Sequence, residues 1–524
     1  MGSFQITYDD FSGGLYMGNK STNLPKNTWF GTTAISTPDG KLIPSGSDLA
    51  SYYGPTAGVD IKIFDHWVIG VDSYVFANWL PSTSRMVKTP DVNNGTKFPI
   101  TTATSPNPLV PTTLTGVLAG KVAYESSTSL FYYINTAGTI YSVSTTGTVT
   151  SVSAALAGLG LTDMASYGYR LVAWGGTNAT AKKRLYYSDT TLATWSTGAY
   201  YEFTGTILNV LPRTNDLLVI CDTGVFSLVG VLGSSVTNQL IVPQNNIAEG
   251  MRNAVVVGRN VYFLDQTLVG SPDGRIYRLT GSSVQAVETL NIPDVVEAST
   301  KGIEQGVIGA VNDGRIVVQL RTGYCYAETI PGTWARFYSA DMNFSSNLSN
   351  QTRIGRAGPN SLNEYFLVVS VDPTVEPNDY PGIVLTRYIH NVADIVNVDN
   401  DFQYVSTPAT SDFPPQGNVT LSEYWHSKPF NVKEIFVEFF PRLGGNPQIT
   451  VGINPTGIVD LYTAENGSSY IQSAEPLTVG VANTFGSSVT QRFRSNDAAK
   501  GFGVKPFIGF TDVTIKRVIL NCED

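Results

Sequence analysis

Histidine is the side chain best suited to proton transfer near neutral pH, and the chain contains three: His66, His390 and His426. A Ser-His or Cys-His mechanism places such a residue beside a nucleophile, yet no GxSxG sequence occurs. Each histidine lies close to an aromatic residue in a strand-like segment, as in DHWVIG around His66. This context favours packing or interface roles, and we predict no catalytic histidine.

Two segments rich in Asp and Asn could supply oxygen ligands for calcium. They are DVNNGT, with Asp91, Asn93 and Gly95, and NVDND, with Asn397, Asp399 and Asp401. Both depart from the EF-hand pattern, and ordinary turns have the same composition. The cysteines Cys221, Cys325 and Cys522 are too scattered for a disulfide framework or a cysteine-rich metal site, which predicts core packing. Because HExxH, GxxxxGK[ST] and a GxGxxG after a strand are also absent, we predict no metal site and no cofactor.

A pair of carboxylates facing a central pocket could cleave glycosides. Acidic residues near the turns of predicted strands are Asp163, Asp216, Asp265, Asp273, Asp313 and Glu364, and arginines that could hold a substrate carboxylate are Arg170, Arg259, Arg275 and Arg315. The sequence alone does not show any two of these carboxylates converging. Glycoside hydrolysis is therefore an alternative only, and we predict that the protein is not an enzyme and has no catalytic residues.

Short strands must position all of these side chains, because helical periodicity is almost absent. Pairs of apolar segments joined by a polar turn recur along the chain, as in LFYYINTAGTIYSV from Leu130 and DLLVICDTGVFSLVG from Asp216. Equivalent positions are Leu130, Leu171, Leu217, Val261, Ile316 and Phe366. A repeat of about 40 to 50 residues is typical of four-stranded propeller blades, and a propeller protects its sheet edges by radial repetition.

The fold class that follows is all-β: a six- or seven-bladed β-propeller, a C-terminal β-sandwich and an N-terminal arm. The aromatic strand pair VDIKIFDHWVIGVDSYVFANW leaves the blade count open, and alternating apolar and polar residues near the end of the chain predict the sandwich. The predicted divisions are an arm at 1–58, a strand pair with a Pro/Thr-rich loop joining the ring at 59–112, the propeller at 113–400, a linker at 401–420 and the sandwich at 421–524.

The composition and net charge exclude several classes of function. Charged residues make up 14% of the 524 residues, against roughly 25% in an ordinary soluble protein. The net charge of -9, without clustered Lys and Arg, excludes binding to nucleic acid by phosphate neutralisation. No run approaches the roughly 20 apolar residues of a membrane span, and the first thirty residues lack a signal-peptide pattern. We therefore predict no membrane span and synthesis in a cytoplasm.

The N-terminal sequence YDDFSGGL contains a DFSGGL core formed by Asp10, Phe11, Ser12, Gly13, Gly14 and Leu15. This motif, followed by a propeller without catalytic motifs and a sandwich ending in TIKRVIL, resembles the tail nozzle (tail tubular) proteins of short-tailed bacteriophages. The motif covers residues 1–20, and the rest of the resemblance is one of organisation over 113–524.

The resemblance implies a structural virion protein of the phage tail, made in the host cytoplasm, with the DFSGGL residues docking subunits. It implies a homo-oligomeric ring, commonly of six, that extends the DNA-exit channel below the portal and adaptor ring and holds tail fibres or spikes. Genomic DNA would pass without specific binding. A receptor- or glycan-binding tail protein is the alternative, with exposed Trp174, Trp195 or Trp334 stacking on sugars.

Overall fold

A computed structural model of the chain describes residues 2–15, 27–32, 34–36, 40–44, 47–53, 61–70, 72–79, 83–88, 110–243, 251, 254–264, 276–287, 307–310, 316–319, 324–330, 333–338, 352–354, 356–357, 365–371, 382–388, 416–441, 448–458, 469–471, 488–494, 501–511 and 513–524. The chain divides into two compact units. The first comprises Met1–Ser47, Tyr324–Asp341 and Ile389–Asp524, and the second Asp48–Gly323 and Met342–Tyr388.

The strands up to the second regular sheet are β1 (Ser3–Tyr8), β2 (Gly14–Leu15), β3 (Thr28–Thr32), β4 (Ala34–Ser36), β5 (Leu42–Pro44), β6 (Ser47–Tyr53), β7 (Ile61–Ile69), β8 (Asp72–Trp79), β9 (Thr83–Lys88), β10 (Val110–Thr113), β11 (Ala123–Glu125), β12 (Leu130–Ile134), β13 (Ile140–Ser144), β14 (Val149–Ser153), β15 (Asp163–Tyr167), β16 (Arg170–Trp174), β17 (Arg184–Tyr187) and β18 (Tyr200–Glu202).

The following strands are β19 (Ile207–Pro212), β20 (Leu217–Cys221), β21 (Gly224–Gly230), β22 (Val236–Val242), β23 (Val255–Val257), β24 (Asn260–Leu264), β25 (Ile276–Thr280), β26 (Ser283–Ala286), β27 (Val307–Ala310), β28 (Ile316–Gln319), β29 (Tyr324–Ile330), β30 (Thr333–Tyr338), β31 (Thr352–Ile354), β32 (Arg356–Ala357), β33 (Tyr365–Val371), β34 (Gly382–Tyr388), β35 (Gln416–Leu421), β36 (Tyr424–Pro441), β37 (Gln448–Ile458), β38 (Ser469–Ile471), β39 (Val489–Arg494), β40 (Gly501–Thr511) and β41 (Val513–Glu523).

No α-helix occurs in the described ranges, and Ala181–Lys183 forms one turn of 3-10 helix. None of the described segments is a helix that could cross a membrane.

Five sheets give the chain a five-bladed β-propeller arrangement. Each consists of four strands that follow one another along the chain: β11–β14, β15–β18, β19–β22, β23–β26 and β27–β30. The predicted number of blades, six or seven, is therefore wrong. The strand pair predicted around 59–79 lies in a five-stranded sheet ordered β10-β9-β8-β7-β32, and the repeat predicted from Asn363 lies in a sheet ordered β31-β33-β34-β6. Both recruit strands from distant parts of the chain, which local periodicity does not reveal.

The turns explain why the repeats form tight hairpins. Between β12 and β13, Asn135 accepts a hydrogen bond from the Thr139 N–H through its side-chain oxygen at 2.9 Å. The Asn135 N–H donates to the Thr139 carbonyl at 3.0 Å. Gly138 has φ of 81°, which only glycine adopts without strain. The polar turn residues of the sequence repeat thus act as hydrogen-bonding turn formers.

The apolar strands pack in both directions between neighbouring sheets. All five side chains of β20 are buried. Leu217 and Val219 pack in a cluster with residues of the β15–β18 sheet, whereas Leu218 and Ile220 pack with residues of the β23–β26 sheet. Successive side chains of a strand point to opposite faces, so a continuous apolar run is what a sheet covered on both sides requires.

Polar side chains also fasten neighbouring sheets together. Asp163, at the start of β15, accepts a hydrogen bond from the Lys121 N–H at 2.9 Å. Asn209, in β19, donates to the Met251 carbonyl at 3.0 Å. These bonds satisfy backbone groups that burial would otherwise leave without partners, which costs free energy.

The first unit contains a twelve-stranded sheet, and the predicted β-sandwich is not shown. Its main order is β2-β3-β35-β40-β36-β41-β5-β4. The long strand β36 pairs first with β40, at Tyr424 and Trp425, and then with β41 from Asn431 onward, with a register shift between Trp425 and Phe430. Strand β36 therefore pairs into both parts of the sheet, and the alternating segments belong to one hydrogen-bonded sheet.

The residues predicted as an N-terminal arm contribute β1 to β6. Strand β1 pairs with the last strand, β41, in antiparallel register from Ser3 opposite Glu523 to Tyr8 opposite Val518. The buried Tyr8 hydroxyl donates to the Ser422 carbonyl at 2.8 Å. This segment is thus held along its length in the sheet.

Candidate interaction surface at the outer edge of a propeller sheet

The DFSGGL motif forms a turn that is bonded within the chain. The Asp10 carboxylate accepts a hydrogen bond from the Ser12 N–H at 2.9 Å. Phe11 is buried, and its N–H donates to the Gly40 carbonyl at 2.9 Å. Gly14 has φ of 71° and, with Leu15, pairs in parallel with β3. Docking of subunits through Asp10, Phe11, Ser12, Gly13, Gly14 and Leu15 stays a prediction.

The tryptophans proposed for glycan stacking are not exposed where their side chains are described. Trp174 is 2% exposed and Trp195 is 5% exposed. Trp174 packs in the cluster shared by the β15–β18 and β19–β22 sheets. Trp195 packs in the cluster shared by the β11–β14 and β15–β18 sheets. The expectation of exposed rings is wrong for these two, because both fill space between sheets. Trp334 lies in β30, and its side chain falls outside the described part.

Two of the predicted carboxylates are described, and both are engaged in structural bonds. Asp163 accepts from the Lys121 N–H and from the Thr162 hydroxyl at 2.7 Å. Asp216 accepts from Arg213 Nε at 2.7 Å and from the Ser227 hydroxyl at 2.5 Å. Asp265, Asp273, Asp313 and Glu364 lie outside the described residues, as do Arg275 and Arg315.

The surroundings of Asp216 keep it ionised. Burial by itself would raise the pKa of the carboxyl, but the hydrogen bonds from Arg213 and Ser227 outweigh it and lower the pKa below its ordinary value. A general acid needs the opposite shift. Of the predicted arginines, Arg170 donates to the Ser188 carbonyl at 2.5 Å, and the Arg259 carbonyl accepts from Arg213.

The histidines and cysteines have packing environments where they are described. His66 is buried and hydrogen-bonds Ser73, and His426 stacks on Phe4 with ring centroids 4.6 Å apart. Burial raises the pKa of the Cys221 and Cys522 thiols to about 12, consistent with inert core residues. His390, Cys325 and the two Asx-rich segments, with Asp91, Asn93, Gly95, Asn397, Asp399 and Asp401, lie outside the described residues or have undescribed side chains. Within the described part, no three His, Cys, Asp or Glu side chains group as metal ligands would.

Among the described residues of the twelve-stranded sheet, a charge cluster forms around Glu438. Glu438 accepts hydrogen bonds from Lys516 at 2.7 Å and from Ser488 at 2.7 Å, and it also pairs with Arg517. The Lys516 bond, aided by Ser488 and Arg517 and opposed by burial, lowers the pKa of Glu438 to about 2. This cluster links β36 to β41 and to Ser488, which directly precedes β39.

A different surface stands out at the end of the β19–β22 sheet. Strand β22 pairs with β21 from Gly230 opposite Val236 to Val225 opposite Val242. Its other side has no neighbouring strand among the described residues. Leu240 on this strand is 47% exposed, and in the preceding hairpin Val231 is 60% exposed. Residues 223–248 contain no Asp, Glu, Lys or Arg, so the edge lacks the charges that natural sheet proteins use to block strand pairing.

The hairpin that leads into β22 is anchored. The Gly233 N–H donates to the Tyr201 hydroxyl of the neighbouring sheet at 2.9 Å. Gly233 has φ of 79°, and a side chain there would approach Tyr187 Cε2 at 3.1 Å and Arg170 Nη2 at 3.2 Å. The turn therefore requires glycine and sits firmly against the β15–β18 sheet. The exposed edge is part of an ordered hairpin and can present a fixed surface.

A second edge has the same character. Strand β14 is the last strand of the β11–β14 sheet, and it has β13 as its described neighbour. Thr150 and Ser151 are exposed on it, and residues 126–162 contain no Asp, Glu, Lys or Arg. The sequence analysis missed both edges. The long stretches without charge were the available signal, but such stretches also occur in buried strands.

No family model matches the sequence, and no curated protein matches it. Solved structures similar in fold include virginiamycin B lyase from Staphylococcus aureus, at 9% identity and a TM-score of 0.40, covering 63% of this chain and 95% of that one. The WD40 β-propeller domain of Doa1 is similar at 11% identity and a TM-score of 0.38, covering 67% and 98%. YCF48 bound to D1 peptide is similar at 11% identity and a TM-score of 0.40, covering 68% and 98%. At these TM-scores the similarities support no inference about the function of this chain.

Proposed function

We propose that the protein is a structural component of the tail of a short-tailed bacteriophage, without enzymatic activity or a cofactor. Copies of the chain form a ring, taken here as hexameric, that extends the DNA-exit channel below the portal and adaptor ring and holds fibres or spikes. The protein is made in the host cytoplasm and ends in the virion tail. The resemblance of the DFSGGL motif and of the chain's organisation to tail nozzle proteins supports this role.

The observation that carries the proposal is the uncharged outer edge of β22. Its exposed Leu240 and Val231 and its lack of charged residues fit a surface that other subunits cover, since interface cores are depleted of charge. The net charge of -9 fits a channel that repels DNA rather than binding it. The burial of Trp174 and Trp195 leaves the glycan-binding alternative without these two residues.

Electron microscopy tests the proposal. Negative-stain images of the purified full-length chain are expected to show closed rings, and an antibody to the chain is expected to label the tails of intact particles. A matched antibody to a capsid protein serves as the control for labelling position. A monodisperse monomer that is absent from the particles contradicts the proposal.

A further inference from the structure

On the side of β22 away from β21, where the described residues include no strand, the edge is a template for another strand. A sheet edge presents unpaired N–H and C=O groups that an extended segment can bond in register. Strand β22 has seven residues, from Val236 to Val242, and its exposed residues Thr237, Asn238, Gln239 and Leu240 lie in its middle. A partner strand without charges fits this edge, because β22 offers no opposite charge with which a charged partner could pair.

The chain itself carries a matching strand. Strand β14 is also the last of its sheet, and its sequence, VTSVS, is rich in the β-branched and hydroxyl residues that pair well across strands. Both edges lie in long uncharged stretches, 126–162 and 223–248. Between them in the chain, β18 has three residues, and its Glu202 forms an ion pair at 2.9 Å with Arg184 of the neighbouring strand β17. Edges β14 and β22 thus differ from β18 in the same way.

We propose that β22 of one copy pairs with β14 of a second copy, so that one sheet continues from subunit to subunit. This inference rests on the proposed function and names the contact that would build the ring. Because β14 and β22 are different surfaces, each copy has one of each to offer. Such a heterologous contact closes into a ring when the rotation between copies allows it, and otherwise extends into a filament. Pairing of β22 with another β22 would instead stop at a two-fold dimer.

Three charge insertions test the contact. Leu240→Lys places a charge on β22, Thr150→Lys places one on β14, and Ser283→Lys places one on exposed β26 as a matched control. Leu240→Lys and Thr150→Lys are each expected to weaken association at least tenfold, measured by sedimentation velocity. Ser283→Lys is expected to associate as the unmodified chain does. Thermal unfolding of each variant checks that the fold is kept.

Mixing the variants identifies the partners. A Leu240→Lys copy keeps an intact β14, and a Thr150→Lys copy keeps an intact β22, so the mixture is expected to form dimers that neither variant forms alone. Rings that persist in both variants overturn this inference and leave the proposed function standing. Association lost in Leu240→Lys but kept in Thr150→Lys also overturns it, in favour of a β22–β22 contact. An unmodified chain that is monomeric and absent from particles contradicts both proposals.

Discussion

Strands β18 and β22 are the last strands of neighbouring four-stranded sheets, but they differ in length, in charge and in the exposure of apolar side chains. Strand β18 has three residues, and the guanidinium of Arg184 lies 2.9 Å from Glu202 and 3.9 Å from the centre of the Tyr200 ring. Strand β22 has seven residues, and Leu240 on it is exposed. Natural sheets protect their edges with short strands and charges, and β18 has both devices while β22 has neither.

This difference shows that two sheets of the same type can have one edge protected from strand pairing and another edge open to it. Both sheets share one apolar cluster, in which Trp174 from one packs with Leu217 and Val219 from the other. The two sheets thus share one apolar core, whereas the length and charge of each edge strand depend on that strand's own sequence. An edge can therefore be left open for a partner without any change to the core that supports it.

The largest expected effect removes the support common to both edges. Trp174→Ala deletes a side chain that is 2% exposed between the two sheets, and we expect it to lower the free energy of unfolding by about 3–5 kcal/mol. Denaturant unfolding measures the change. Trp425→Ala, at a tryptophan that is 57% exposed, is the matched control and should change stability by about 0.5 kcal/mol or less. Equal effects of the two substitutions would contradict the packing described for Trp174.

The next effect separates the two sheets, because the Arg213–Asp216 ion pair in the turn between β19 and β20 is largely buried, whereas the Arg184–Glu202 pair is partly exposed. Asp216→Asn leaves the Arg213 guanidinium without its charged partner, and we expect a loss of about 3 kcal/mol at neutral pH. The pKa of Asp216 is lowered in the folded state, so its contribution to stability is present above the ordinary carboxyl pKa of about 3.9 and is lost as the pH falls through the lowered value.

Unfolding measured as a function of pH checks this prediction. The stability difference between the unmodified chain and Asp216→Asn should shrink on acidification below about pH 4. Asp9→Asn, at an exposed residue, provides the control for general acid effects. A difference that stays constant down to the lowest pH at which the protein folds would argue against an ionised Asp216.

Local sequence patterns predicted many strands closely. The predicted repeat positions Leu130, Leu171 and Val261 lie in β12, β16 and β24, since apolar runs and turn residues act over a few positions. Pairing between distant segments, such as β1 with β41 or β6 with β34, has no local signature. The same limit explains why the predicted blade count is wrong: the sheets around β7–β10 and β33–β34 each include a strand from a distant part of the chain.

The candidate surface could not be predicted for a related reason. An aromatic residue at a strand end suits both an exposed stacking platform and a core, and Trp174 proved to be core because a second sheet covers it. The uncharged stretch around β22 suits both a buried strand and an open edge. Which of the two applies depends on whether another strand follows in the sheet, and that is a property of the tertiary structure.

The smallest expected effect concerns whether its short length or its edge charge protects β18 from pairing with another strand. The double substitution Arg184→Gln and Glu202→Gln removes the edge charges and leaves the strand short. The pair lies near solvent, where screening weakens ion pairs, so we expect no measurable shift in melting temperature. The two substitutions are combined with Leu240→Lys, which blocks pairing through β22. Sedimentation velocity of this variant should show self-association through β18. That association should be weaker than association through β22, because the three residues of β18 offer few hydrogen bonds. If the double variant stays strictly monomeric at high concentration, strand length alone protects β18, and the open state of β22 then follows from its seven residues rather than from its missing charge.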